Sequence, residues 1–94
     1  LSDYPQALKS GNQALTIAQD IKSSAAELMA LSALTSSYKA LGDYPKAITT
    51  NQQILALARQ SYNQPMEGIT LLELGEIASN QAWTQRINRF WLDR

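Results

Sequence analysis

The strongest constraint on this chain is that part of it is written twice. Leu1-Ser-Asp-Tyr-Pro-Gln-Ala-Leu8 returns as Leu41-Gly-Asp-Tyr-Pro-Lys-Ala-Ile48, an offset of 40 residues. The register continues without a gap: Gln13, Leu15 and Ala18 fall on Gln53, Leu55 and Ala58, and 8 of the 20 positions in 1–20 are identical in 41–60. Further along, Glu27, Leu31 and Leu34 fall on Glu67, Leu71 and Leu74. There the likeness stops, since residues 41–54 share no position with 81–94. A period of this length marks a stacked array, in which each unit buries its apolar face against the next.

Each unit reads as two helices. After Tyr4-Pro5, the small and apolar residues Ala7, Leu8, Gly11, Ala14, Leu15, Ala18 and Ile21 recur at spacings of three and four. Asp3 is placed to cap this helix, and a first turn tolerates Pro5. Asp43, Pro45 and the run Ala47, Ile48, Ile54, Leu55, Ala58 repeat the pattern. Between them, Ser24-Ala-Ala-Glu27 has the spacing of a capping box and opens a helix carrying Leu28, Leu31, Leu34, Tyr38 and Leu41. Gly42 is suited to end it with a positive φ. Pro65 opens a further helix with Ile69, Leu71, Leu72, Leu74 and Ile77. Connections near 21–24, 42–43 and 61–64 are short, so neighbouring helices are antiparallel.

These residues resemble a tetratricopeptide repeat in its longer, forty-residue form. The central unit carries the signature as Leu31, Leu34, Tyr38, Gly42, Tyr44 and Ala47. A third unit carries Leu71, Leu74-Gly75 and Ala78. Thr35 departs from the usual Gly or Ala, and Ile54 from the usual Ala. The resemblance implies an all-α fold, a right-handed α-α superhelix of antiparallel helix pairs. About two to two and a half repeats are expected in one domain over 1–94. Residues 1–22 form the second helix of a repeat, 24–61 the central repeat, and 65–94 a degenerate third repeat with a terminal capping helix. Because the chain starts inside a repeat, it reads as a fragment of a longer array.

Composition removes most chemistry. The absence of His and Cys excludes a disulfide scaffold, a Cys/His zinc site, a thiol nucleophile and a His-based triad. Glu73 and Glu76 lie i, i+3 on one helix face, yet they lack the partners that acid–base chemistry needs. No catalytic residue, metal or cofactor is therefore expected. Eight basic and eight acidic side chains cancel, which argues against a nucleic-acid binder. No apolar run is long enough to span a membrane, and no signal peptide is evident, so a cytoplasmic location is expected.

The resemblance also implies a role. In such arrays the first helix of each unit lines a concave groove that holds a peptide or protein segment. By position, the groove residues here are Met29, Ser32, Ser36 and Lys39, then Ile69, Leu72, Glu76 and Asn80, with Ala33 and Glu73 beside them. Lys39 alone is a weak clamp for a terminal carboxylate, so that specificity does not transfer. Ile69 and Leu72 can equally be core, and the serines can be small only to let helices approach. The alternative role is a structural spacer or homo-oligomerisation module of a larger regulatory protein, with a homodimer formed through exposed terminal helices.

The C-terminal segment is distinct. Trp83, Ile87, Phe90 and Trp91 fall at i, i+4, i+7 and i+8, a single helical stripe with Arg86, Arg89 and Arg94 largely off it. Three readings compete. The stripe folds back as the second helix of the third unit and caps the stack. It stays exposed and docks a partner or a second copy. Or it lies on a membrane surface, for which its charge is modest.

Overall fold

The computed structural model describes residues 3–92, with side chains described as far as Phe90. Four helices follow one another: α1 (Tyr4–Asp20), α2 (Ser24–Ala40), α3 (Tyr44–Gln60) and α4 (Gln64–Leu92). No strand occurs among the described residues. Each helix packs on the next, α1 on α2, α2 on α3 and α3 on α4. The result is an elongated all-α repeat of 53 × 30 × 19 Å.

The turns share one design, set by the sequence every twenty residues. Asp3, Ser23, Asp43 and Asn63 each accept the backbone N–H three residues on with a side-chain oxygen, at 3.0, 3.2, 3.4 and 3.2 Å. Each satisfies an N–H that the first helical turn leaves without a partner. The last three caps directly follow a residue of positive φ: Lys22 at 54°, Gly42 at 77° and Tyr62 at 57°. The N–H groups of Ser23, Asp43 and Asn63 reach back to the carbonyls of Ala18, Tyr38 and Ala58 at 3.0, 2.9 and 2.8 Å. This is the Schellman arrangement, and its last residue doubles as the next helix's N-cap. The cap of α2 is thus Ser23, not Ser24: Ser23 keeps the extended φ and ψ of −102° and 104° that a cap requires, and Ser24 is already helical.

The third unit departs from expectation. The next turn in this register falls on Ala82 and Trp83. Ser23, Asp43 and Asn63 supply a capping oxygen at the earlier turns, whereas tryptophan has none. Among the described residues the chain does not turn here, and no separate helix follows to cap the stack as anticipated for 65–94. Instead α4 runs unbroken for 29 residues against 17 in each of the others. At 1.5 Å per residue it is about 43 Å long, and its last third overhangs the stack.

The core lies between helices. Leu31 and Leu34 of α2, Ala47, Ile54 and Ala58 of α3, and Ile77 of α4 are all at most 3% exposed. Alanines at the tightest positions let the backbones approach. In α1, a Cβ on Gly11 would stand 2.8 Å from Leu34 Cδ2, so a larger residue there would displace the Leu34 side chain. The α2–α3 interface also buries a polar pair, with Thr35 Oγ1 and Thr50 Oγ1 2.7 Å apart.

Candidate functional site

Helix periodicity puts Ser32, Ser36 and Lys39 on one face of α2, and Ile69, Glu73, Glu76 and Asn80 on one face of α4. Because α3 packs on both helices, these faces flank a depression with α3 as its floor. Ser32 and Ser36 line one wall, Ile69 and Glu73 the other, and Asn51 and Ile54 the base. The cavity has a volume of ≈ 160 Å³. Its rim is closed by a salt bridge across the groove. Lys39 Nζ lies 3.3 Å from Glu73 Oε1 and 3.9 Å from Glu76 Oε1. One cation thus faces two carboxylates, and the local charge is negative.

The groove residues read from the sequence divide. Ser32, Ser36 and Ile69 share the depression, and Lys39 and Glu76 meet at its rim. Leu72 and Ile69 are 79% and 58% exposed, so neither is core. Asn80 is exposed further along α4. Met29 is not with them. It lies at the other end of α2, in a separate apolar depression with Ile17 and Ile21.

The sequence reading passed over Asn51, Met66 and Thr70, all of which line the cavity. Asn51 was detectable. It falls on the inward stripe Ala47, Asn51, Ile54, Ala58, where a polar residue breaks an otherwise apolar face. The structure buries it to 1% exposure and leaves its Nδ2 without a hydrogen-bond partner.

The aromatic stripe sits on the overhang of α4. Trp83, Ile87 and Phe90 are 61%, 36% and 52% exposed and flank a shallow depression with Arg86. Trp91, the fourth member of the stripe, has a side chain outside the described residues. Among the described residues, no helix is long and apolar enough to cross a membrane, and no group of three acidic side chains gathers as for a metal.

Comparison with known proteins agrees with the helix pairs. No curated protein and no solved structure matches the chain. The family model described as "Tetratricopeptide repeat" matches residues 1–60, the portion in which the twenty-residue turn register holds. With more than half its length matched, and with consecutive antiparallel helices of that repeat length, the chain belongs to the tetratricopeptide repeat family, whose members are in general protein–protein interaction modules.

Proposed function

We propose that the chain is a non-catalytic docking module, and that an extended segment of a partner protein lies in the α2–α4 groove. One observation carries this reading. Side chains from three helices converge on a single depression, and one large apolar residue of its wall, Ile69, stays exposed. An apolar strip beside a polar rim is the usual anatomy of an interface. With Lys39 engaged by Glu73 and Glu76, the groove disfavours anionic segments. Selection of displayed peptides on the immobilised chain tests the reading. Enriched peptides should lose binding to Ser36→Trp, which fills the groove from an exposed position. Peptides indifferent to that change would overturn it.

A second reading rests on the overhang. The exposed Trp83–Ile87–Phe90 stripe supports self-association or docking through the end of α4. Solution mass against concentration checks it. A dimer that dissociates on dilution and is abolished by Trp83→Ala would put this reading first.

A further inference from the structure

Helix α4 leaves one face uncovered along most of its length, and that face has the period of a coiled-coil seam. Leu72, Glu76, Ser79, Trp83, Arg86 and Phe90 follow one another at alternating spacings of four and three. All six are exposed. Glu76, with its side chain 63% exposed, touches Lys39 at a long 3.9 Å. The buried residues Thr70 and Ile77 lie on a different side of the helix. The series complements itself when it is reversed. Counted inward from its two ends, Leu72 falls on Phe90, Glu76 on Arg86 and Ser79 on Trp83. That is apolar on apolar, acid on base and small on large. Because α4 runs unbroken, its two halves cannot meet each other within one chain.

We infer that two copies of this chain pair antiparallel along α4, about a two-fold axis level with Gln81. The inference rests on the reading of the α4 overhang as a self-association surface. A two-fold interface uses the same patch on both copies, so the patch must fit itself on reversal. The axis makes each of the three contacts twice. Every layer combines the two alternating positions of the seam, as antiparallel helix pairs do. Parallel pairing is disfavoured, since it sets Glu76 on Glu76 and Arg86 on Arg86, and like charges in contact are costly. An unrelated segment has no reason to carry this order, whereas a second copy carries it by identity.

Light scattering against concentration tests the pairing on the native chain and on the variants Glu76→Arg and Arg86→Glu. The native chain should form a dimer that dissociates on dilution. Each variant meets like charges at both symmetric contacts and should dimerise more weakly by about tenfold or more. The two variants mixed in equal amounts should recover the dimer, because each supplies the charge that the other lacks. The double variant Glu76→Arg with Arg86→Glu should recover it alone. Recovery also shows that the single variants fold. Pairing in this register brings Leu71 of one copy alongside Arg89 of the other, so spin-label distances within one chain are read after dilution into excess unlabelled chain. A dimer that Trp83→Ala abolishes but mixing does not recover would overturn the antiparallel register and leave self-association through the overhang standing. Open-ended oligomers would do the same, since a two-fold pair is closed. A constant monomer mass would overturn both.

Discussion

Helices α2 and α4 are the same element of two successive units, and they end differently. Leu31 and Leu71 occupy one repeat position, yet Leu31 is 2% exposed and Leu71 is 47% exposed. Leu34 is buried where its counterpart Leu74 is half-buried. The residue types are identical, so the difference lies in the neighbours. Helix α2 sits between α1 and α3, whereas α4 packs mainly on α3 and meets α2 only across the groove. Their C-terminal ends differ as well. Gly42 and Asp43 stop α2, and nothing equivalent stops α4 at Ala82 and Trp83. In a stacked array, burial belongs to the place in the stack, and helix length belongs to the turn residues.

The largest test of this contrast is a matched pair of truncations. Leu31→Ala should destabilise by about 3 kcal/mol, because a buried leucine leaves a cavity. Leu71→Ala should cost about 1 kcal/mol or less. Urea unfolding of both variants checks the pair, and equal losses would break the comparison. Next in size is Ala47→Trp. Ala47 is fully buried where α3 meets its neighbours, and overpacking there should cost about 2 kcal/mol in the same assay. Tyr62→Gly sharpens the turn argument in the opposite direction. Tyr62 holds a left-handed φ while 91% exposed, so glycine should stabilise by about 1 kcal/mol, seen as a higher melting temperature. The smallest effect belongs to Lys39→Ala. Its partly exposed bridge to Glu73 should be worth about 0.5 kcal/mol, read from a double-mutant cycle with Glu73→Ala.

Much of the fold was legible in particular residues. Gly42, Asp3, Asp43 and Pro45 announce their helix ends chemically, and the apolar spacing announces the faces. Lys22 and Tyr62 do not, because neither residue type favours positive φ; the Schellman hydrogen bonds impose it. Ser23 was displaced by its neighbour because Ser24 has the better spacing to Glu27. The exposure of Ile69, Leu71 and Leu72 was hidden, since apolar spacing alone does not say which helix faces are covered among the described residues. In the groove, Ser32, Ser36 and Ile69 were readable by register. Asn51 was readable only as a flaw in an apolar stripe, and its missing partner needed coordinates. The aromatic stripe was plain, but its direction hung on a turn for which Trp83 supplies no capping oxygen.

That turn is the central claim: α4 runs on because its twenty-residue stop is missing. With no native cysteine in the chain, Leu71→Cys with Arg89→Cys gives a clean pair for spin labelling. The two positions are 18 residues apart on one helix face. Double electron–electron resonance should find them about 27 Å apart, at 1.5 Å per residue. A distance below about 15 Å, as between antiparallel helices packed 8–10 Å apart, would mean that the chain folds back after all and would contradict the account.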